Sequence, residues 1–181
     1  MSFHAPTLEE HLARYGFALW FIKRRRVLDV GCNNGYGDVQ LSWGAQSITG
    51  YDNDEKMLEK ARSRQYECPA EFKRVDFNTD EFLGDGFDVV VCFETLEHVD
   101  DPDALMRKIA GALVPGGTFV FSVPHLIANR QHKTLFDKQA ITDLIGRHLT
   151  LKELHVFDER PVTKRHCWAR VVDYVGFAQK V

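Results

Sequence analysis

The stretch from Arg26 to Leu41, Arg-Val-Leu-Asp-Val-Gly-Cys-Asn-Asn-Gly-Tyr-Gly-Asp-Val-Gln-Leu, restricts the fold more than any other part of the chain. Val27, Leu28 and Val30 read as a short buried strand. Gly31, Gly35 and Gly37 follow as a glycine-rich turn, and an apolar helical pattern starts near Val39. Strand, glycine turn and helix in that order make a ligand cleft at the carboxyl end of the first strand of an open α/β sheet. Glycine lets the backbone approach a ligand closely and adopt positive φ. The dinucleotide fingerprint Gly-x-Gly-x-x-Gly is not met: Asn33 stands two places after Gly31, and Gln40 follows the Gly35/Gly37 pair. Asp29 sits near the end of the strand, with Val30 between it and Gly31. A carboxylate there repels a pyrophosphate and can receive an ammonium group.

The strand–helix alternation continues down the chain. Ser47 to Tyr51 reads as a second strand ended by Asp52, about twenty residues beyond the turn, where an acid suits ribose hydroxyls. Asp54 caps a helix with Met57, Leu58 and Ala61 on its inner face. Glu71 to Val75 is a third strand ending in Asp76-Phe77. Phe87 to Phe93 is a buried parallel strand that delivers Glu94-Thr95-Leu96-Glu97-His98-Val99 at its carboxyl end. Asp101-Pro102 starts a helix with Leu105, Ile109 and Leu113 as its stripe. Pro115-Gly116-Gly117 is expected to stop it before a fifth strand, Thr118 to Val123. A helix from Phe136-Asp137-Lys138, a strand from Leu149 to Phe157, a charged loop from Asp158 to Arg165 and a last strand or strand pair in Cys167 to Val181 complete the order. At the start, Thr7-Leu8-Glu9-Glu10 has capping-box form, and Leu8, Leu12, Tyr15 and Leu19 predict a helix to about Phe21. The fold class is α/β: a Rossmann-like three-layer α/β/α sandwich with a central, mostly parallel sheet. Asp29/Gly31, Asp52, Asp76 and Phe93/Glu94 all fall at the strand ends where such sheets bind ligands.

With 181 residues, the chain is read as one domain, residues 1–181. A net charge of −3 gives no general reason to expect nucleic acid or an anionic membrane as partner. The Lys23-Arg24-Arg25-Arg26 run reads as a solvated helix end. Cys32, Cys68, Cys92 and Cys167 form no Cys-x-x-Cys pair, so a reduced cytoplasmic protein without a zinc site is expected. No signal peptide is visible and no apolar run approaches bilayer length, so membrane insertion is not expected.

The spacing Asp-x-Gly-Cys-x-x-Gly-Tyr-Gly resembles the first motif of the class I S-adenosylmethionine (SAM) methyltransferases. The order Leu-Glu-His-Val, Asp-Pro, helix, Leu-Val-Pro-Gly-Gly-Thr, strand, Ser-Val-Pro strengthens that resemblance, which covers residues 7–146 in matching order. The resemblance implies a seven-stranded sheet whose last strand inserts antiparallel. It implies SAM as cofactor, its ammonium near Asp29 and the turn at Gly31, Asn33 and Gly35. The ribose would lie at Asp52, with Asn53 and Met57 beside it, and the adenine near Asp76 and Phe77, with Phe93 closing the cleft. Asn33 stands where the family has glycine, and asparagine tolerates the left-handed region better than most residues. The phrase His-Leu-Ala-Arg-Tyr-Gly-Phe-Ala resembles an N-terminal helix that lids the SAM pocket in some bacterial methyltransferases. Residues 1–22 would then be a lid carrying Arg14 and Tyr15, and residues 26–181 the core. The alternative puts Tyr15 in the core and Arg14 in solvent.

Glu94-x-x-Glu97-His98 places two carboxylates and an imidazole just past the fourth strand. Such a set can hold a divalent cation and leave positions open for an acceptor hydroxyl. The pattern is similar to that of ubiquinone-pathway O-methyltransferases and of small-RNA 2′-O-methyltransferases, where these residues bind metal. In the RNA enzymes a later histidine joins, and His132 in Gln-His-Lys-Thr-Leu-Phe is its positional match. Mg²⁺ or Mn²⁺ is therefore one expectation. His98 as a metal-free base is the other, because many related methyltransferases carry Leu-Glu-His-Val without a metal. The resulting expectation is SAM-dependent O-methylation of a small-molecule or sugar-like acceptor by a monomer or homodimer, with Glu94, Glu97 and His98 as the catalytic set. A metal-assisted RNA 2′-O-methyltransferase and a non-catalytic SAM-binding sensor or partner subunit are the alternatives. Asn33 keeps the sensor reading open. His4, His11, His148, His155 and His166 have no visible partners in the sequence.

Overall fold

Parallel strands buried on both faces must be apolar throughout, and β1 (Arg26–Val30) shows how this chain achieves it. In the computed structural model, which describes residues 8–82, 84–125, 130–158 and 172–181, Val27 faces one core cluster while Leu28 and Val30 face another. The same alternation runs through β4 (Phe87–Phe93): Val89, Val91 and Phe93 point to one side, Val90 and Cys92 to the other. One layer carries α1 (Leu8–Ala18) and α2 (Tyr36–Ser42), which contribute Tyr15, Ala18 and Leu41. The other carries α4 (Pro102–Ala112) and α5 (Lys138–Gly146), which contribute Leu105, Ile109, Ile141 and Leu144.

The remaining elements are β2 (Ser47–Asp52), α3 (Glu55–Arg62), β3 (Ala70–Arg74), a single 3₁₀ turn at Leu96–His98, β5 (Leu113–Pro124), β6 (Thr150–Asp158) and β7 (Val172–Gln179). The seven-stranded sheet has the order β3-β2-β1-β4-β5-β7-β6. Strands β3 to β5 pair parallel, and β7 lies antiparallel between β5 and β6. That is the inserted strand the family resemblance implies. The order reverses between β1 and β4, so the crevice above their carboxyl ends is a topological switch point. Antiparallel β7 brings its first residues to that same edge, with Asp173 opposite Pro124.

Three boundaries differ from the sequence reading. Helix α1 stops at Ala18, because Trp20 and Phe21 bond back only three residues, to Phe17 and Ala18. Helix α2 begins at Tyr36, with Gly35 as a left-handed N-cap at φ 73°. Extended structure starts at Leu113, which pairs with Phe87, and Pro115-Gly116-Gly117 bulge out before pairing resumes at Val89 and Thr118. The expected loop at 158–165 and the start of the last strand at Cys167 lie largely outside the described residues. Among the described residues, no helix is long and apolar enough to cross a membrane.

Candidate functional site

The turn after β1 is shaped by two close approaches. Gly31 (φ 88°) lies against Thr95, whose Oγ1 would be 2.2 Å from any Cβ at position 31. Gly37 lies under the Tyr15 ring, 2.1 Å from where its Cβ would be. Asn33 takes φ 51°, the left-handed conformation expected for it, and its Oδ1 accepts from the Asn34 amide at 2.7 Å. Asp52 closes the turn: Oδ2 accepts from the Asn33 amide and Oδ1 from the Asp54 amide. A carboxylate has about four lone-pair sites, so roughly two remain for ligand hydroxyls. Asn53 is exposed and Met57 half-buried beside Asp52. Asp76 Oδ1 accepts from the Asn78 amide, and Phe77 is buried in the core cluster.

Asp29 is fully buried on the α1/α2 side of the sheet. Tyr15 donates its hydroxyl to Asp29 Oδ2 at 2.8 Å, and Oδ1 has no N–H or hydroxyl donor. Burial pushes the Asp29 carboxyl up to about 7, against the lowering effect of its bonds to Tyr15 and Asp38. Tyr15 also packs edge-on against Phe93, with ring centroids 5.0 Å apart. Its neighbour Arg14 is buried, not in solvent: it pairs with Asp173 on β7, and its Nε lies 3.8 Å from Glu94 Oε1. The second half of α1 thus meets Asp29 of β1, Phe93 and Glu94 at the end of β4, and Asp173 at the start of β7.

Glu94 sits at φ 51° at the end of β4, a conformation a non-glycine side chain adopts only when its surroundings enforce it. Ser122 donates to its Oε1 at 2.7 Å. The 3₁₀ turn then buries Glu97 and leaves its two carboxylate oxygens without hydrogen-bond donors. Burial, with the nearby Glu94 charge second, raises the Glu97 carboxyl well above its ordinary value. His98 Nδ1 bonds the Gln131 carbonyl at 3.1 Å, which makes Nδ1 the protonated nitrogen, and Nε2 lies 3.7 Å from Glu97 Oε1. Burial lowers the His98 pKa against the opposing effect of the Gln131 bond. The Lys133 and Thr134 amides donate to the Glu97 carbonyl, which fixes the 131–134 segment against the turn. His132 is carried in with it, its ring centroid 4.9 Å from that of His98. One ligand atom from each of Glu97, His98 and His132 lies within 4.8 Å of the others. Glu94 stands outside that trio, engaged by Ser122 and beside Arg14. Of the histidines without sequence partners, His148 bonds Asp103, His155 bonds Glu153 and His11 contacts Arg14. His4 and His166 lie outside the described residues.

Sequence reasoning missed Asp38, Thr95, Ser122 and Asp173. The signal for Asp38 was present: positions 38, 41 and 42 form the inward stripe of α2, and all three are buried. Nothing local marks Asp173, because its partner Arg14 is 159 residues away. A cavity of about 670 Å³ lies between α4 and the loop after β3, lined by Phe82, Gly84, Arg107 and Lys108, and it adjoins Phe77, whose carbonyl accepts from Lys108.

Residues 3–160 match the family described as methyltransferase domain. The chain belongs to that family, the class I SAM-dependent methyltransferases. It is similar to the ubiquinone biosynthesis O-methyltransferase of Idiomarina loihiensis, 38% identical over 104 residues, 54% of this chain and 42% of that protein. Its likeness to the counterpart in Pseudomonas putida is 31% over 156 residues, 81% of this chain and 63% of that protein. The chain therefore spans less than two thirds of the length of these relatives. The fold matches an S-adenosylmethionine-dependent methyltransferase from Mesorhizobium loti with a TM-score of 0.78 at 21% identity, covering 93% of this chain and 96% of that one.

Proposed function

We propose that this chain transfers the methyl group of SAM to a hydroxyl oxygen of a small molecule, at the cluster of Glu97, His98 and His132. The observation that carries the reading is Glu97: a buried carboxyl with no donor on either oxygen, beside two imidazoles. Such a group demands a proton or a cation. The donor set, one carboxylate and two imidazoles, fits Mn²⁺ better than Mg²⁺, which prefers oxygen ligands. When bound, such an ion would favour the ionised form of an acceptor hydroxyl. Glu97, His98 and His132 would hold it, while Glu94 adds negative charge alongside. The similarity to O-methyltransferases with small-molecule pathway names and the acidic balance favour a small acceptor over RNA.

The cofactor assignment rests on the spare lone pairs of the Asp29 and Asp52 carboxylates. Asp29 receives the ammonium, Asp52 the ribose hydroxyls with Asn53 and Met57 beside it, and Asp76 the adenine amino group with Phe77 near the ring. Gly31, Asn33 and Gly35 shape the turn against the methionine part, and Tyr15, Arg14 and Phe93 cover it. Methyl transfer from a sulfonium is an in-line displacement, so positioning supplies much of the rate. The acceptor must also lose a proton, and the bare Nε2 of neutral His98 suits either base or ligand duty.

Asp52→Ala is expected to weaken SAM binding by roughly 1.5–3 kcal/mol, since charge-assisted hydrogen bonds are lost. Unchanged affinity by calorimetric titration would remove the ribose assignment. Asn33→Gly is expected to keep the fold and to hold or improve SAM affinity, because the backbone there already has the conformation glycine prefers. A large loss in the same titration would mean that the amide contacts the ligand directly. The reaction itself is tested by mixing protein, SAM and pools of hydroxyl-bearing small molecules. S-adenosylhomocysteine should form together with a methylated product. Tight SAM binding with no turnover in any pool would favour the sensor reading.

A further inference from the structure

We propose that Asp38 is a positioning residue for the cofactor: a neutral carboxylic acid that donates its proton to Asp29 and keeps Asp29 the anion that receives the SAM ammonium. This rests on the placement of that ammonium at Asp29.

Asp38 lies in the first turn of α2, one residue after Gly37, under the Tyr15 ring. It is fully buried, as is Asp29. Neither Asp38 oxygen has an N–H or hydroxyl donor from another residue, yet its carboxyl is within hydrogen-bonding reach of Asp29. The titratable and charged groups around the pair are Tyr15 from α1, Tyr36 from α2, Cys32 from the turn, Asp52 from β2, and Tyr66 and Cys68 from the segment after α3, with Arg14 acting on Tyr36 and Arg64 on Tyr66. Both cations are engaged elsewhere: Arg14 pairs with Asp173 and Arg64 bonds Asn34. Two ionised carboxylates side by side in such a place would each bear an uncompensated desolvation cost. One proton resolves this, and the surroundings say where it goes. Asp29 already accepts from Tyr15, which favours its charged form, whereas an ionised Asp38 is favoured only by its own backbone amide, the weakest of the influences on it. Burial, and then the Asp29 charge, pushes Asp38 well above the ordinary carboxylate range, while Asp29 reaches only about 7. Asp38 therefore stays neutral at neutral pH and Asp29 titrates there.

The consequence is a pH-dependent cofactor affinity with a fixed sign. As pH falls, Asp29 takes a proton, loses its charge and loses the ammonium. Stability runs the other way. A raised folded-state pKa contributes stability below the unfolded value of about 4, which is lost as pH rises through the folded value.

The test is the dissociation constant of SAM from about pH 5.5 to 7.5, corrected for the cofactor's own amino group, which is partly deprotonated at the upper end. For the wild type it should rise toward acid, approaching about tenfold per pH unit below the midpoint. Methylthioadenosine, which lacks the amino acid part, should show no such midpoint. Asp38→Asn keeps a donor and should keep the midpoint. Asp38→Leu removes the donor, so its midpoint should move up and its affinity at pH 7 should fall about three- to tenfold. If Asp38 merely fills space, both variants keep the wild-type midpoint, and that result overturns the proposal. So does pH-independent affinity in the wild type. Infrared spectroscopy of the free protein keeps the proton assignment testable if the leucine variant fails to fold. The carbonyl band of a protonated carboxyl should weaken in Asp38→Asn at pH 7, and its persistence would overturn the assignment. Asp29→Asn separates the two layers. Unchanged SAM affinity there would overturn the ammonium placement, whatever the infrared result.

Discussion

His98→Ala is expected to lower the rate of methyl transfer by about 10²–10⁴ while SAM affinity stays intact. The imidazole stands beside the proposed methyl position, not among the groups assigned to the cofactor. Its Nδ1 is held by the Gln131 carbonyl, so Nε2 presents a lone pair toward Glu97. Because burial holds its pKa below the usual imidazole value, His98 is neutral at pH 7 and is lost to the reaction only as pH falls through that lowered pKa. A protonated ring can neither bind a cation nor accept a proton, so the acid limb of the rate profile at saturating SAM should disappear in the variant. A chelator divides the two roles. If the ring is a ligand, chelation should abolish activity, Mg²⁺ or Mn²⁺ should restore it, and Glu97→Ala should lose the restoration. If the ring is a metal-free base, chelation should change nothing and His98→Ala should still be slow. A fully active His98→Ala protein that ignores chelator would contradict both. His132 and His125 would then be the next groups to replace.

Gly31→Ala is expected to cost about 2–5 kcal/mol of stability and to abolish SAM binding. Two separable effects contribute. The backbone at position 31 has φ 88°, outside the range an alanine adopts without strain. The new methyl would also fall 2.2 Å from Thr95 Oγ1, and Thr95 is fixed by bonds to the Val30 and Phe93 carbonyls. Removing the hydroxyl in Gly31→Ala/Thr95→Ala relieves the collision but not the backbone strain, so only part of the stability should return. Denaturant unfolding of the single and double variants measures both parts. A Gly31→Ala protein as stable as wild type would show that the turn relaxes without cost.

The strand ends were legible because a doubly wound sheet puts chemistry at one edge and because the acids there follow apolar runs. Asp29, Asp52, Asp76 and Glu94 all sit where that pattern puts them. The glycine turn was legible too, since Gly31 and Gly35 have the positive φ that their spacing suggested. What escaped was set by contacts distant in sequence. Arg14 read equally as a lid residue or a solvent residue, because nothing local shows that Asp173 lies against it. Asp38 drew no reading, since the helix was expected to start near Val39, although its spacing to Leu41 put it on the buried face. Helix-breaking residues put the end of α4 past Leu113, but it stops at Ala112, because pairing of Leu113 with Phe87 decides where β5 starts. His132 was matched by motif alone. Its approach to His98 depends on two backbone bonds to the Glu97 carbonyl, which no local pattern encodes.

The central claim is that SAM lies across the carboxyl ends of β1, β2, β3 and β4. Amide proton–nitrogen correlation spectra recorded during a SAM titration test it directly. The account predicts saturable shifts centred on the amides of Arg14, Tyr15, the 29–35 segment, Asp52, Asn53, Met57, Asp76, Phe77 and the 93–98 segment. Shifts centred instead on Phe82, Gly84, Arg107 and Lys108 around the cavity beside α4, or no shifts at saturating SAM, would contradict it.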